Sequence, residues 1–332
     1  MRRRELLAWT AAMLAGGAIT VGGGAAWAAD WKPTRPIEIV VPSGPGGGLD
    51  LVGRTLQAVM EQQKLTEVPV TVLNKPGGSG TVGLAYINSH PHRGNYVCIQ
   101  ALPLITNTIT GQSEIGLKDV TPLAVLVTEQ IIFSVSADSP IKSGQDLAAK
   151  LKADPTSVSI GVSSSPGGQS HDAAALVTKA AGGDPKKLKV VFFDSGGEAA
   201  TALMGGHIDV AVTPAGVILG PRQTGKIRII AIPASARVGG ALADVPTWKE
   251  DGVDAVFSTW RVIVGPKGMT PDQVAWWDAT LAKVTASPEW QTAVGRNQWT
   301  ADYLDSKDAT AFFDSENTRL TALLTDLGLA KQ

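Results

Sequence analysis

The sequence predicts an α/β protein of two lobes, each built on a mostly parallel sheet flanked by helices. Three observations carry this. A chain of 332 residues, 44% hydrophobic and 18% charged, has the length of roughly two domains and apolar material for two cores. Strand-like and helical patterns alternate along it, which is the pattern of parallel sheets with helical crossovers. Four times a short β-type run ends in a glycine-rich turn that opens directly into a helical pattern, twice within 31–125 and twice within 135–225.

The N-terminus carries Arg2-Arg3-Arg4, an apolar stretch from Leu6 to Ala26 and then Ala26-Trp27-Ala28. A basic region, a hydrophobic core and a small-x-small site read as an export signal cleaved after Ala28. The arginines before Glu5-Leu6-Leu7 also partly match a twin-arginine signal. The other reading is an uncleaved membrane anchor, against which the glycines of the stretch argue. Removing residues 1–28 takes away three of 29 basic and one of 30 acidic residues, which leaves a net charge of −3. No basic patch points to nucleic acid. Cys98 is the single cysteine, so no intramolecular disulfide can form, and its apolar surroundings predict a buried thiol.

The first β–turn–α unit runs Ile37–Pro42, Ser43–Gly48 and Asp50–Gln62. The second runs Val68–Asn74, Pro76–Gly80 and Thr81–Asn88. Strands follow at Tyr96–Leu102 and Leu123–Val135, the second preceded by a turn at Asp119–Pro122. A helix over Gly144–Lys152 starts near Ser143. The third unit runs Val158–Val162, Ser163–Gly168 and Ser170–Ala180, and the fourth Leu188–Phe193, Asp194–Gly197 and Glu198–Met204. Ile208–Thr213 reads as a strand, Ala215–Thr224 as a short helix ended by Gly225, and Ile227–Pro233 as a central strand. A short helix is expected over Val245–Asp251 with Pro246 in its first turn, then a strand Val256–Val264 interrupted by Arg261. Helices Pro271–Ala286, Pro288–Arg296 and Asp308–Leu327 close the chain, the last with N-caps offered by residues 305–308. The run 123–135 contains no turn signal and suits a crossing between lobes, with 227–236 as the return. Lobe I is therefore expected over 29–126 plus 234–332, and lobe II over 127–233.

A glycine-rich turn at a helix start leaves backbone N–H groups without partners, with the positive end of the helix dipole behind them. That is an anion site made without charged side chains. Two lobes that each bring a pair of such turns to one cleft would suit a small molecule with two carboxylates.

Other chemistries fit less well. Gly78-Ser79-Gly80-Thr81-Val82-Gly83 matches the dinucleotide pattern G-x-G-x-x-G, but residues 95–113 lack the acidic residue that would hold a ribose. No P-loop and no G-x-S-x-G elbow occurs. His90-x-His92 lies in a turn without cysteine or carboxylate beside it, which favours a surface turn over a metal pair. His171 opens the third helix as a pocket donor, a cap or a packing residue. Ser170, His171 and Asp172 are adjacent on one helix start and cannot face one another as a triad. Asp50 reads as a helix N-cap or as a residue that shapes the loop and meets the ligand. Arg261, beside Trp260, could fork onto a ligand carboxylate or form a salt bridge. Asp209 reads as structural.

At these residues the chain resembles a known family. Arg35-Pro36-Ile37, Val40-Val41-Pro42 and Pro45-Gly46-Gly47-Gly48-Leu49-Asp50 resemble the opening P-I-x-x-x-V-P-x-x-P-G-G-G-x-D of the Bug (Bordetella uptake gene) solute-binding proteins, the extracytoplasmic receptors of tripartite tricarboxylate transporters. Val72–Gly80 resembles their V-x-N-K-P-G-A-x-G, Gly161–His171 their G-x-x-x-x-G-x-x-x-H, and Gly205–Val210, Gly225–Arg228 and Asp244–Thr247 their later G-G-Q-V-D, G-K-L-R and D-V-P-T. The motifs run in order from about residue 33 to the C-terminus. Trp260-Arg261 departs from the commoner pattern of aromatic, small and apolar residues there.

The resemblance implies a two-lobed, type II periplasmic-binding-protein-like fold that closes on its ligand, no enzymatic activity, no cofactor and a monomeric chain. It implies a periplasmic location, a small organic carboxylate (di-/tricarboxylate or aromatic acid) as ligand, and inner-membrane transporter subunits as partners; the sequence leaves amino acids open as well. Carried over by position, it marks Ser43, Gly47, Gly48 and Asp50 in the first loop and Ser79, Gly80 and Thr81 in the second. From lobe II it marks Ser163, Ser165, Gly167, Ser170, His171, Asp194 and Thr213. Two rival functions stay open from sequence: a ligand sensor for a membrane signalling partner, and a doubly wound nucleotide-dependent enzyme.

Overall fold

The computed structural model describes residues 31–163, 166–326 and 328–331. The export segment with its cleavage site at Ala28, and Ser165 of the third turn, lie outside the described residues.

The first stretch folds as β1 (Ile37–Val41), α1 (Gly48–Gln62), β2 (Val70–Asn74), α2 (Thr81–Asn88) and β3 (Tyr96–Gln100). Helix α1 is amphipathic. Val52, Leu56, Val59 and Met60 recur at helical spacing and are buried against Ile37, Ile39 and Val41, each contributing roughly 1.5–3 kcal/mol of transfer free energy. The sequence reading missed the next element, α3 (Pro103–Ile109). Its seven residues include Ile105, Thr106, Thr108 and Ile109, whose β-branched side chains disfavour a helix locally. Pro103 at its start and burial of Leu104, Ile105 and Thr106 override that preference.

Strand β4 (Val120–Ser136) is 17 residues long. It absorbs residues 120–122, which were expected in a turn; Leu117–Asp119 makes that turn instead. Pro122 is tolerated because the register with the neighbouring strand shifts just after it. Then come α4 (Gly144–Ala153), β5 (Ser159–Ser163), α5 (Gln169–Ala180), β6 (Lys189–Phe193), α6 (Gly196–Met204), β7 (Val210–Pro214), α7 (Ala215–Gln223) and β8 (Ile227–Ala231). The chain ends with β9 (Ser258–Pro266), α8 (Pro271–Ala286), α9 (Pro288–Asn297), β10 (Trp299–Thr300) and α10 (Ser306–Asp326).

Three expectations need correction. Residues 245–251 form turns rather than a helix. Thr247 and Glu250 cap each other's backbone (2.8 and 3.2 Å), but Gly252 at φ +81° stops the chain before a helix propagates. Strand β8 is not central, because it pairs with β4 alone among the named strands, and Arg228 breaks its apolar run. Arg261 does not interrupt β9; it lies in mid-strand opposite Val127.

The strands form one curled mixed sheet of order β2-β1-β3-β9-β4-β7-β5-β6, with β8 and β10 also paired to β4. Both flanks are parallel, and the centre around β4 and β9 is antiparallel. Residues 120–130 of β4 face β9, whereas residues 131–136 face β7 and β8. One strand thus joins two half-sheets, and the change of partner falls at Gln130–Ile131. The carboxyl ends of β1, β2, β5 and β6 point their turns into the crevice between the halves, where ligands bind in open α/β sheets. Helix α10 packs on β4 and α3, with Phe313, Leu320 and Leu324 buried, and Asp305 caps its start at 3.0 Å from the Asp308 N–H.

Candidate ligand-binding cleft

Residues of all four turns line a single cavity of about 120 Å³ between the half-sheets. Ser43, Gly47 and Gly48 come from the first turn, Ser79 and Gly80 from the second, Ser163 from the end of β5, and Asp194 from the fourth. Among the described residues its lining contains no lysine, arginine or histidine, and Asp194 is its one acidic residue. The first-turn N–H groups of α1 and α6 start at Gly48 and Gly196, on opposite walls. The lining therefore includes, from both halves, the first residues of helices, whose N–H groups have no intrahelical partner.

The turns also touch each other. The Gly44 N–H donates to the Asp194 carbonyl at 3.1 Å. A Cβ on Gly47 would lie 3.3 Å from the Ser195 Cβ, and one on Gly48 would lie 3.0 Å from the Pro214 Cγ. On the other flank the Thr106 hydroxyl of α3 donates to the Gly167 carbonyl at 2.9 Å, and Gln112 donates to Pro166. The halves are thus in contact on both sides of the cavity.

The other marked residues that are described do not belong to this lining. Asp50 is not an N-cap. Gly47 holds that position, and Asp50 lies in the first turn of α1. Its buried carboxylate accepts from the Gly46 N–H (2.9 Å), Arg54 Nε (2.8 Å) and Asn74 Nδ2 (2.9 Å), and so ties the first turn to the end of β2. Burial alone would raise its pKa. The hydrogen bonds from Arg54, Gly46 and Asn74, with the Arg54 charge, outweigh that and hold it below the usual carboxylate value. Thr81 is met by Asn107 Nδ2, which also donates to the Gly78 and Ser79 carbonyls and braces the second turn from α3.

In the third turn, Ser170 meets the Ser163 hydroxyl at 3.1 Å. The His171 Nδ1 accepts the Gly167 N–H at 3.0 Å, and burial lowers its pKa, so the imidazole is a neutral brace. Its ring meets Phe192 at 5.7 Å and lines an adjoining groove. Thr213 is buried next to Pro214, which does line the cavity, and its hydroxyl has no partner among the described residues. Arg261 is fully buried. Its Nε and Nη2 donate to Glu129 Oε2 and its Nη1 to Gln169 Oε1 (2.8 Å). Among the described residues it meets these protein groups rather than the cavity.

Sequence reading left out several lining residues, among them Gln100, Gln169, Phe192 and Ser195. Ser195 carried a legible signal, since a serine three residues before Glu198 at a helix start is a capping box pattern, and its hydroxyl does cap the Glu198 N–H at 3.2 Å. Gln100 and Gln169 carried none; only the packing of strand ends brings them inward.

His90 stacks on Tyr96 at 4.0 Å, and His92 Nδ1 meets the Gly268 carbonyl at 2.7 Å. No cluster of three or more His, Cys, Asp or Glu able to hold a metal ion occurs among the described residues. Cys98 is buried, which pushes its thiol up to about 12. No helix among the described residues is long and apolar enough to cross a membrane.

Comparison with known proteins agrees with this architecture. Residues 52–329 match the family described as tripartite tricarboxylate transporter family receptor. A Cupriavidus necator protein named "UPF0065 protein in gbd 5′ region" is 28% identical over 334 residues, covering 100% of this chain and 99% of its own. The crystal structure of a TctC solute-binding protein from Polaromonas, without ligand, is 29% identical, covers 89% of this chain and 99% of that one, and superposes with a TM-score of 0.61. A protein from R. palustris with adipate bound has the same fold, with a TM-score of 0.82 at 22% identity over 90% of this chain and 99% of that one. With two parallel-flanked half-sheets, four glycine-rich turns on one cleft and a family match over most of its length, the chain belongs to the tripartite tricarboxylate transporter family receptors, a family of solute-binding proteins.

Proposed function

We propose that this chain captures a small organic acid with at least two carboxylate or carbonyl oxygens, closing two lobes on it, and presents the closed form to an inner-membrane tripartite transporter from the periplasm. The observation that carries the reading is the convergence of four helix-start turns, two from each half, on one cavity whose lining lacks basic side chains. Oriented N–H donors bind carboxylates in a site that closure shields from water, where such bonds strengthen. The lobes proposed are residues 29–126 with 234–332, and 127–233. The ligand contacts proposed are Ser43, Gly47, Gly48, Ser79, Gly80, Ser163 and Asp194. Asp50, Thr81, Gly167, Ser170, His171, Thr213 and Arg261 are proposed to hold the turns in place. The adipate seen in the R. palustris protein supports the ligand class, and the Arg2-Arg3-Arg4 export pattern supports the compartment.

A thermal-shift screen of residues 29–332 against mono-, di- and tricarboxylates, with NAD and ATP included, tests this. An acid at 100-fold its Kd is expected to add ~2.7 kcal/mol of stability. Stabilisation by a nucleotide with no response to any acid would overturn the receptor reading.

A further inference from the structure

Gln169 is the first residue of α5 and lines the cavity. Its Oε1 accepts two hydrogen bonds, from Arg261 Nη1 at 2.8 Å and Thr259 Oγ1 at 2.9 Å. A guanidinium only donates, so the atom it meets is the amide oxygen and the orientation of the amide is fixed. Nε2 must then point away from Arg261, and the hydrogen bonds of the Gln169 side chain among the described residues all fall on Oε1. Arg261 is itself immobilised. It is fully buried, forked onto Glu129 Oε2, and Trp299 Nε1 holds the other oxygen of Glu129 at 3.2 Å. The ion pair cancels its own charge, so it supplies direction and polarisation to the Gln169 amide without adding net charge to the cleft. Thr259 and Arg261 lie on β9 and Gln169 lies on α5, so the network crosses between the halves beside the Gln130–Ile131 change of partner.

Resting on the carboxylate-receptor reading above, we propose that Gln169 is a ligand-binding, specificity-determining residue that donates through Nε2 to an acceptor oxygen of the bound acid, with Arg261 as the positioning residue that orients it. A donor-only group at this point selects a carboxylate or carbonyl oxygen and rejects an ammonium. The class selected is dicarboxylic or oxo acids over α-amino acids.

The test uses calorimetry with adipate, succinate and citrate, taking whichever binds the wild-type protein, and L-glutamate as the amino-acid probe. Gln169→Glu, which exchanges the donor for an acceptor at equal size, is expected to weaken the acid by about 30-fold or more and to lower its preference over L-glutamate. In ¹⁵N-glutamine-labelled wild type, the side-chain NH₂ signal missing from the Gln169→Glu spectrum is expected to shift on saturation with the same acid. Arg261→Lys keeps the charge and loses the fork. It is expected to move that NH₂ signal in the unliganded protein and to weaken the acid. Unchanged acid affinity in Gln169→Glu, or an NH₂ signal that does not respond to the acid in wild type, would overturn the proposal and leave the receptor reading standing. Wild type that binds none of the acids would overturn both. If Gln169→Glu does not fold, Gln169→Ala supplies both the assignment of the NH₂ signal and the affinity comparison, with the same outcomes deciding.

Discussion

Two buried carboxylates respond to acid in opposite directions. Asp50 receives three donors and has a lowered pKa, so its contribution to stability is present above the ordinary carboxylate value of about 3.9 and is lost as pH falls through its lower folded value. Asp50→Asn is expected to cost about 1–3 kcal/mol at pH 7, because donors lose a charged acceptor. Urea unfolding should show that difference shrinking below about pH 4; a pH-independent difference would mean that the charge of Asp50 contributes nothing. Asp172, in the first turns of α5, is fully buried with neither carboxyl oxygen partnered among the described residues, and burial raises it to about 7. A raised folded value means that stability is highest below the unfolded pKa and falls as pH rises toward 7. Asp172→Asn is therefore expected to stabilise the protein increasingly from about pH 4 to 7, by on the order of 2–4 kcal/mol at the plateau. Melting curves across that range check this, and a flat difference would show an ordinary carboxyl. Neither role could be read from the chain: Asp50 resembled a cap by spacing alone, and nothing local marked Asp172 as buried.

Helix starts are the elements that make the cleft, and their caps divide into two kinds. Ser143 caps α4 through the Asp146 N–H at 3.1 Å, away from the cavity, whereas Ser195 caps α6 and also lines it. Ser143→Ala and Ser195→Ala are each expected to cost about 1 kcal/mol of stability. Only Ser195→Ala should also weaken the bound acid, and equal affinities in the two variants by calorimetry would remove Ser195 from the site. Most elements were legible because period and cap agreed, as in α8, where Thr270, Pro271 and Gln273 form a complete capping box. Helix α3 was not, since its β-branched residues argue for a strand and only tertiary burial makes it a helix. That omission also hid Asn107, which braces the second turn, and Thr106, which reaches the third.

At the scale of the whole molecule the two halves share β4 and meet at both ends of the cavity, through Gly44 with Asp194 and Thr106 with Gly167. In the receptor proposed above, ligand binding and closure are one equilibrium, and a contact made only on closure contributes to apparent affinity. Thr106→Val, which keeps the shape of the side chain and removes the cross-half bond, is expected to weaken the acid about 3–10-fold. Small-angle scattering should show a smaller radius of gyration with the acid than without it. Identical radii in both states would argue against closure. One apolar cluster runs from Val40 and Leu84 to Ile160 and Phe313, with residues from both halves.

By itself the sequence determined the α/β alternation, the four glycine-rich turns, most element boundaries and the family resemblance, because each rests on local spacing, capping or backbone freedom. The tertiary structure alone decided which turns meet. It placed Arg261 behind the cleft rather than in it, turned Gln169 inward, and made the middle of the sheet antiparallel through β4 and β9. These outcomes depend on contacts such as Arg261 with Glu129 and Gln169, 132 and 92 residues apart in sequence. Their energies come from burial and charge pairing that exist only once the chain has folded.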